Sequence, residues 1–388
     1  NDRIHTLTPE EITKGINAIK KQLLIDESTI REIVVNLLAG RHILLTGPVG
    51  CGKTELARTI PEVFWSKHGG YFADVATATA DWTTNDVIGG IIPYMENDNI
   101  GYKFENGCVT RAASKNWNEH SKRTSSIQKP YCAKDQPDGS DPWKERSFRG
   151  VWLVIDEFNR ADINKAFGQM YTALESGIVE TSNVDKEKNI TKFKIPSDFR
   201  IIGTLNTSDK HHLFQLSDAL KRRFAIIRVD NPLTNAPQEE IEFASREAFR
   251  AIEGKFFAKP PQGQKEWTPE NLGQELEAIY LIFRFVRHEK PLGLGVLKSI
   301  LQTFFVSKQT MEVKADEENE AIDIALTNNL SPQLESLEKE TLDILTKNNM
   351  RSIRPGYGLP VKYFNDILGM KVTADIKRGT RVSWKLLK

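Results

Sequence analysis

Short apolar runs alternate with helix-like segments between residues 42 and 229. The clearest runs cover residues 42–46, 151–155 and 199–205, and residues 71–75 form a weaker one. Each run has the length of a buried strand, and apolar residues recur at helical spacing in the stretches between them. Strands that alternate with helices are typical of a parallel sheet covered by helices. The pattern therefore predicts a parallel α/β core.

Helical periodicity also precedes and follows this core. Residues 8–38 alternate apolar and charged positions at helical spacing, and Thr8 before Pro9 has the form of an N-cap with proline at the first helical position. Residues 270–346 return to a helical pattern after a proline-punctuated stretch at 231–260. We therefore expect two helices ahead of the core and a smaller helical domain behind it.

Composition narrows the class of protein. The chain has 388 residues, which is too long for one compact core and predicts two or three domains. The formal net charge of +1 gives no evidence of nucleic-acid affinity for the chain as a whole. No apolar stretch approaches the roughly 20 residues that cross a bilayer, and the first residues are not signal-like, so we expect a cytoplasmic protein.

The cysteines and the first residue add two expectations. The three cysteines, Cys51, Cys108 and Cys132, are odd in number and have no C-x-x-C spacing, so they indicate neither a disulfide framework nor a zinc site. The chain begins with Asn1 rather than methionine, which indicates a piece of a longer protein.

The most informative motif lies between the first apolar run and a helical pattern. It reads Gly47-Pro48-Val49-Gly50-Cys51-Gly52-Lys53-Thr54 and is followed by Glu55. This is the phosphate-binding loop G-x-x-x-x-G-K-[ST], in which glycines turn successive N–H groups toward a nucleotide's phosphates at a helix N-terminus. We expect Lys53 to reach the β- and γ-phosphates and the Thr54 hydroxyl to coordinate Mg²⁺.

A second motif is an apolar strand that ends in Asp156 and Glu157. Asp156 is placed to bind the Mg²⁺ shell, and Glu157 can polarise an attacking water. The alternative is that an acidic residue at a strand end simply caps the next helix. Because this acidic pair follows a phosphate loop by about a hundred residues, we favour the interpretation that it belongs to a nucleotide site.

Two further patterns follow along the chain. Asn206 ends the run at 199–205 and could orient the water between Glu157 and the γ-phosphate, although it could also form an Asx-turn with its own backbone. Arg222 and Arg223 close a helix-like segment, where arginine from a neighbouring subunit could stabilise the charge of phosphoryl transfer. Cations at a helix C-terminus are also favoured by the helix dipole alone.

Together these motifs resemble the AAA+ superfamily over roughly residues 35–345. Two signatures narrow the resemblance. The stretch Asp156-Glu157-Phe158-Asn159-Arg160-Ala161-Asp162 is similar to a signature that MoxR-type and McrB-type proteins share. The stretch Leu205-Asn206-Thr207-Ser208-Asp209-Lys210 is similar to a signature of McrB, the motor subunit of modification-dependent restriction systems. Residues 88–107 resemble the hairpin inserted in helix 2 of this clade, which belongs with the dynein-related AAA domains.

The resemblance implies a P-loop NTPase core followed by a small α-helical lid. It implies the roles argued above for Lys53, Thr54, Asp156, Glu157 and Asn206, and it aligns Arg222 and Arg223 with paired arginines that act across a subunit interface. Leu205 and Ser208 depart from the McrB signature, so ATP and GTP both stay open as substrates. The candidates for a second sensor in the lid are Arg284, Arg287 and Lys298.

We accordingly divide the chain into four parts. They are an N-terminal helical segment at 1–38, the nucleotide-binding core at 39–230, the helical lid at 231–350 and an extension of uncertain structure at 351–388. Within the core we expect the helix-2 insert at about 88–110 and a polar surface insertion at about 115–148, where prolines interrupt a stretch without periodicity.

Three functions fit these features. The first is the motor of a DNA restriction or defence complex, a homo-oligomeric ring, most simply a hexamer, that acts with a nuclease partner on duplex DNA. The second is a MoxR-type chaperone that remodels a protein or metalloenzyme client. The third is a nucleotide-dependent scaffold, which Glu157 disfavours because a scaffold without turnover needs no water-activating carboxylate.

Overall fold

A computed structural model describes nine continuous segments and four single residues of the chain. These are 4–96, 99–117, 131–132, 147–184, 190–206, 217–231, 237–253, 269–310 and 320–334, with Lys371, Thr373, Ser383 and Lys385. Several predicted segments lie outside the described residues, namely most of the insertion at 115–148, the helical pattern at 337–346 and nearly all of the tail at 351–388. The chain divides into two compact units, Asn1–Asp230 and Asn231–Lys388.

The first unit contains the strands and the shorter helices. Its described strands are β1 (His42–Gly47), β2 (Tyr71–Thr77), β3 (Gly89–Glu96), β4 (Asn99–Asn106), β5 (Tyr131–Cys132), β6 (Ser147–Phe148), β7 (Gly150–Asp156), β8 (Ile178–Val184), β9 (Ile190–Lys194), β10 (Ile201–Asn206) and β11 (Phe224–Arg228). Its described helices are α1 (Pro9–Lys20), α2 (Glu27–Leu38), α3 (Lys53–Phe64), α4 (Thr84–Val87), α5 (Cys108–Ser114), α6 (Ile163–Phe167), α7 (Met170–Ser176) and α8 (Asp218–Arg223).

A five-stranded sheet forms the centre of this unit. Its strand order is β11-β1-β10-β7-β2, and every neighbouring pair is parallel. The predicted fold class, a parallel α/β core followed by a helical region, is confirmed. Four of the five strands correspond to the apolar runs of the sequence. The edge strand β11 was not predicted, because its apolar residues follow directly on three cations that end a helix.

The two faces of the sheet bury different residues. Side chains alternate between faces along a strand, so Ile43 and Leu45 enter the core beneath α1, α2 and α3, while Leu44 enters the opposite one. On β7 the same alternation separates Trp152 from Leu153. Burial on both faces explains why these strands read as continuous apolar runs rather than as alternating ones.

Two antiparallel hairpins extend this core. In one, β3 pairs with β4 from Gly89 opposite Asn106 to Glu96 opposite Asn99. In the other, β8 pairs with β9, with a register irregularity between Glu180 and Val184. The first hairpin occupies the position where the resemblance implies an insert in helix 2. The second was not predicted from the sequence.

The N-cap predicted at Thr8 is confirmed. The Thr8 hydroxyl accepts a hydrogen bond from the Glu11 N–H at 3.3 Å, and the Thr8 N–H donates to Glu11 Oε2 at 2.9 Å. This reciprocal pair is a capping box, which satisfies N–H groups that have no partner within the helix. A helix start of this kind can be predicted from the sequence, because its hydrogen bonds join residues that are close together in the chain.

The described part of the second unit is helical. Its helices are α9 (Pro237–Ile252), α10 (Gly273–Glu289), α11 (Leu294–Thr310) and α12 (Glu320–Leu334). Their apolar faces bury residues such as Ile279, Phe283, Leu301 and Phe304. Among the described helices of the whole chain, none combines the length and apolarity that crossing a membrane requires.

Candidate nucleotide-binding site

The phosphate loop, residues 47–54, joins β1 to α3 at the carboxyl edge of the sheet. Gly52 precedes α3 with a φ of 89°, a left-handed conformation that glycine adopts without steric cost. A Cβ atom at Gly47 would lie 2.1 Å from the carbonyl oxygen of Val229, so a side chain cannot fit there. Glycine is therefore required at both ends of the loop, and the loop leads directly into a helix N-terminus, where N–H groups favour anions.

Lys53 is buried within this loop. Its Nζ donates hydrogen bonds to the carbonyl oxygens of Gly47 at 3.0 Å and Pro48 at 2.6 Å. Burial lowers the pKa of Lys53 below its ordinary value, because removal from water disfavours the charged amine. The ammonium group thus lies inside the concavity that the loop encloses, where a phosphate oxygen could replace a carbonyl partner.

Cys51 packs inside the same loop. Its thiol donates a hydrogen bond to the Val229 carbonyl oxygen, with a sulfur-to-oxygen distance of 3.4 Å. Burial raises the pKa of the thiol, which disfavours the reactive thiolate. Cys51 therefore serves as a small packing residue that ties the loop to the strand end beyond β11.

The second motif lies beside the loop. Asp156 ends β7, and its Oδ1 accepts a hydrogen bond from the Thr54 hydroxyl at 2.7 Å, across 102 positions of sequence. The same Oδ1 accepts a second bond, at 2.5 Å, from the hydroxyl of Thr204 on β10. The structure thus brings the first turn of α3 to the end of β7, two positions from which the sequence predicts Mg²⁺ ligands, and it adds Thr204.

Glu157 adopts an unusual backbone conformation. Its φ is 53°, and among the described residues no other non-glycine residue has a positive φ. A left-handed conformation costs an L-residue about 1–2 kcal/mol, and such strain is concentrated at functional sites. The Glu157 N–H donates to the Thr204 hydroxyl at 3.1 Å, and its carboxylate pairs with Arg160 Nε at 2.8 Å. Both contacts help to hold this conformation.

Asn206 lies at the end of β10, beside the start of the phosphate loop. The parallel register places it opposite Gly47. Its side chain is half-buried, as is that of Glu157 at the end of the neighbouring strand β7. The loop, the acidic pair and Asn206 thus meet at one edge of the sheet, where open α/β sheets bind their ligands.

The two predicted arginines have different surroundings. Arg223 pairs with Glu175 of α7 through Nη2 and donates from Nη1 to the Ala219 carbonyl oxygen at 2.8 Å. Arg222 is exposed and forms no hydrogen bond or ion pair within the described residues. Within the same residues, neither arginine bonds to the phosphate loop or to the acidic pair.

The second-sensor candidates belong to the second unit. Arg287 lies on α10 with its side chain 8% exposed, and its Nη1 donates to Glu240 Oε1 at 2.7 Å. The central carbon of its guanidinium group lies 4.4 Å from the centre of the Phe283 ring. Tyr280 donates to the other oxygen of Glu240 at 2.7 Å, and burial raises the pKa of this tyrosine. Arg287 is thus held by neighbours in its own unit.

Comparison with known proteins identifies the family. Residues 42–224 match the AAA domain of the dynein-related subfamily. This part of the chain is an AAA domain. The match includes the phosphate loop and the acidic pair, and it confirms the predicted family and the predicted enzyme class, a nucleoside-triphosphatase. Residues 342–388 match the SAF domain, which the sequence motifs did not indicate and which falls almost entirely outside the described residues.

A curated relative matches more than half of the chain. The McrB subunit of the type IV methyl-directed restriction enzyme EcoKMcrB from Escherichia coli K12 is 27% identical over 224 residues. The match takes in 56% of this chain and 41% of the relative, so the chain spans less than half of that protein.

Solved structures give weaker similarities. NtrX from Brucella abortus aligns with a TM-score of 0.44 at 13% identity, over 87% of this chain and 62% of that one. A putative ATPase from Cytophaga hutchinsonii aligns with a TM-score of 0.39 at 15% identity, over 88% of this chain and 96% of that one.

Three features of the site were missed from sequence. Thr204 was not singled out, although a hydroxyl within the apolar run at 199–205 was a visible signal. Arg160 was quoted in a signature without a role. The hairpin of β8 and β9 was not predicted, because its pairing depends on tertiary contacts rather than on a strong local alternation.

Proposed function

We propose that the AAA domain is the Mg²⁺-dependent nucleotide-hydrolysing motor of a McrB-like restriction or defence complex. The proposal rests mainly on the contact between the phosphate loop and the acidic pair. In this contact the Thr54 hydroxyl donates a hydrogen bond to Asp156 Oδ1 at 2.7 Å. This contact supports the proposal, because a hydroxyl of the phosphate loop lies within hydrogen-bond distance of one of the two carboxylates that the chemistry needs.

The side chains fit a magnesium ion. The Thr54 hydroxyl and the Asp156 carboxylate are hard oxygen donors, and Mg²⁺ is usually bound by one or two such groups together with phosphates and water. Among the described residues, both hydrogen bonds to the Asp156 side chain end on Oδ1, which leaves Oδ2 for the metal's hydration shell. When bound, the ion neutralises charge that develops on the β- and γ-phosphates.

Glu157 acts as the general base in this proposal. Its carboxylate follows Asp156 directly, and its left-handed backbone turns it away from the strand direction. It accepts the proton of the attacking water as the bond from the water oxygen to the γ-phosphorus forms and the bond from that phosphorus to the β,γ-bridging oxygen breaks, which releases phosphate and the nucleoside diphosphate. Asn206, at the same edge of the sheet, orients that water through its amide. Arg160 must release Glu157, at least in part, as the base engages the water.

Arg222 is the arginine that acts in trans. It is exposed and unpaired within the described residues, whereas Arg223 is occupied by Glu175. An arginine supplied by a neighbouring subunit stabilises charge on the transferred phosphoryl group and couples hydrolysis to assembly. Head-to-tail contacts that close by rotation form a ring, here most simply a hexamer.

The restriction role rests on the McrB relative and on residues 205–210. The relative's name describes a methyl-directed restriction subunit, and this chain is 27% identical to it over 224 residues. The proposed partners are a nuclease subunit and duplex DNA. The hairpin of β3 and β4 offers an apolar surface for a protein contact, since the exposed fractions of Met95, Ile100 and Tyr102 are 69%, 68% and 73%.

A MoxR-type chaperone is the second candidate function. The signature at residues 156–162 is common to both groups, and it supports a remodelling ATPase as well as a restriction motor. In that case the client is a protein or a metalloenzyme, and the energy of hydrolysis changes the conformation of the client rather than that of a nuclease complex.

Steady-state hydrolysis tests these proposals. ATP and GTP are compared across protein concentration, with and without duplex DNA. Turnover of either nucleotide that rises with assembly supports the ring motor, and a preference for GTP supports the McrB-like role. A preference for ATP without response to DNA favours the MoxR-type role. Turnover that is independent of protein concentration over the assembly range contradicts the arginine in trans.

A further inference from the structure

One buried hydroxyl contacts both acidic residues of the nucleotide site. Thr204 is 2% exposed and lies on β10, between β1 and β7. Its Oγ1 donates to Asp156 Oδ1 at 2.5 Å and accepts from the Glu157 N–H at 3.1 Å. We propose that Thr204 is a positioning residue that orients the Asp156 carboxylate and the Glu157 backbone together through this single hydroxyl. The proposal rests on the proposed function of the site.

The first half of the proposal concerns Asp156. Two hydroxyls, those of Thr54 and Thr204, donate to the same oxygen, Oδ1, and they approach it from α3 and from β10. Donors on two sides fix the plane of the carboxylate and leave Oδ2 directed away from both. If Thr54 is recruited to a metal ion, the bond from Thr204 is the one that continues to hold Asp156. Partners of this kind behind a metal ligand commonly contribute 10- to 100-fold to metal affinity or activity.

The second half concerns Glu157. This residue has a positive φ, and its N–H has the Thr204 hydroxyl as a partner. A hydroxyl has one proton, which Thr204 gives to Asp156, so only its lone pairs can serve Glu157. Thr204 is therefore the donor in one bond and the acceptor in the other, so both bonds can form at the same time. Through them, the backbone that presents the general base is tied to the carboxylate that serves the metal.

The hydrogen-bonding capacity of the side chain at position 204 determines which substitutions test the proposal. Valine in place of Thr204 has the shape of threonine but can neither donate to Asp156 nor accept from Glu157. Serine keeps the hydroxyl and loses only a methyl group. A matched control is Thr46→Val on β1, since Thr46 is also largely buried and its hydroxyl forms no hydrogen bond within the described residues.

Thr204→Val is compared with Thr204→Ser, Thr46→Val and the unsubstituted chain. We expect Thr204→Val to lower kcat at saturating nucleotide by about 10-fold or more and to raise the Mg²⁺ concentration for half-maximal hydrolysis by about the same factor. Affinity for nucleotide in EDTA should stay within about 3-fold, because the phosphate loop is intact. Thr204→Ser should restore both quantities to within about 3-fold, and Thr46→Val should change neither.

A readout without turnover accompanies these rates. In a Glu157→Gln background, the gain in ATP affinity on adding Mg²⁺ is measured by equilibrium binding with and without the Thr204→Val substitution. A smaller gain with valine supports the proposal even if the chain hydrolyses no nucleotide, so failure of the proposed function is distinguishable. Equal gains, equal kcat values for Thr204→Val and the unsubstituted chain, or losses as large in Thr204→Ser as in Thr204→Val, overturn it.

Discussion

At the residue scale, Glu157 shows how neighbouring contacts hold an unfavourable backbone conformation at the candidate site. The strand β7 ends at Asp156, and the left-handed φ of 53° at the next residue redirects the chain. This conformation is unfavourable for glutamate by itself, so the surrounding contacts must maintain it. The N–H bond to Thr204 and the ion pair with Arg160 supply two of them.

Glu157→Gln should separate binding from hydrolysis. The amide keeps the shape of the side chain but cannot accept a proton from water, so we expect hydrolysis to fall roughly 10²- to 10⁴-fold. Nucleotide affinity should be close to that of the unsubstituted chain, and the ring should accumulate in the nucleotide-bound form. Turnover and equilibrium binding are the measurements.

The control for this variant is Glu32→Gln, which changes an exposed glutamate on α2 in the same way. It should leave both turnover and binding unchanged. Normal turnover in Glu157→Gln contradicts the assignment of the general base.

His42 predicts an acid sensitivity of the fold. The ring is buried at the start of β1, where its Nδ1 accepts a hydrogen bond from the Ile201 N–H at 3.0 Å. Burial, with a smaller contribution from Arg200, lowers the pKa of His42 to about 3. The unfolded chain binds this proton near its ordinary pKa, so the stabilisation is complete above that value and is lost as the pH falls toward 3.

Chemical denaturation across pH measures this effect. Between about pH 7.5 and about pH 5, we expect His42 to contribute a loss of about 2 kcal/mol to the free energy of unfolding. Glutamine does not titrate in this range. The free energy of unfolding of His42→Gln should therefore fall by about 2 kcal/mol less than that of the unsubstituted chain between the same two pH values. Parallel curves for the two chains contradict the buried neutral imidazole.

At the scale of elements, the short helix α8 is fixed at both ends. Ser217 caps its start by accepting from the Leu220 N–H at 3.4 Å. At its end, Arg41 donates to the carbonyl oxygens of Lys221 at 3.1 Å and Phe224 at 2.8 Å. The Ser217 bond satisfies an N–H group at the helix start, and the Arg41 bonds satisfy carbonyl oxygens at the helix end, where such groups have no partner within the helix. They also hold the segment that carries Arg222 against the core.

Replacement of the two arginines should have different consequences. We expect Arg222→Ala to lower turnover by roughly 10³-fold or more without loss of nucleotide binding. Arg223→Ala should instead destabilise the unit by up to about 1 kcal/mol, because its partner Glu175 is largely exposed. Turnover, nucleotide affinity and thermal unfolding distinguish these effects.

Lys221→Ala is the matched control, since it removes a neighbouring cation whose partner is the exposed Asp218. It should retain turnover. A large loss in Arg223→Ala with none in Arg222→Ala reverses our assignment within the pair. Normal turnover in both removes the proposed arginine in trans.

At the scale of the whole molecule, each active site in the proposed ring combines two subunits. One subunit supplies the phosphate loop and Glu157, and its neighbour supplies Arg222. Because a head-to-tail interface uses two different surfaces, a defect on one surface leaves the other intact. Two inactive variants with defects on opposite surfaces can therefore form active interfaces together.

Mixing Arg222→Ala with Glu157→Gln tests this arrangement. Each variant alone should be inactive, whereas in an equal mixture about one interface in four pairs an intact Glu157 with an intact Arg222. Turnover should return to a corresponding fraction. Mixing Arg222→Ala with the Arg222→Ala, Glu157→Gln double variant is the control and should give none. Absence of recovery, with subunit exchange verified by labelled chains, contradicts action across the interface.

The sequence by itself determined the features whose residues are close together in the chain. The phosphate loop, the acidic pair and the capping box at Thr8 each occupy a few consecutive positions, and their bonds or turns are local. Continuous apolar runs likewise identified β1, β7 and β10, because burial on both sheet faces disfavours polar residues along these strands. A weaker run identified the edge strand β2, which is only partly buried. These patterns were sufficient to predict a parallel α/β nucleotide-hydrolysing core.

Only the tertiary structure decided the contacts that join distant positions. Thr54 and Asp156 are 102 positions apart, and Thr204 and Asp156 are 48 apart, yet strand order and register bring them together. Arg222 and Arg223 are adjacent in sequence, but successive side chains on a helix point about 100° apart, so only one of them reaches Glu175. The partner of each polar side chain depends on how the helices and strands pack, and the local sequence pattern does not predict that packing.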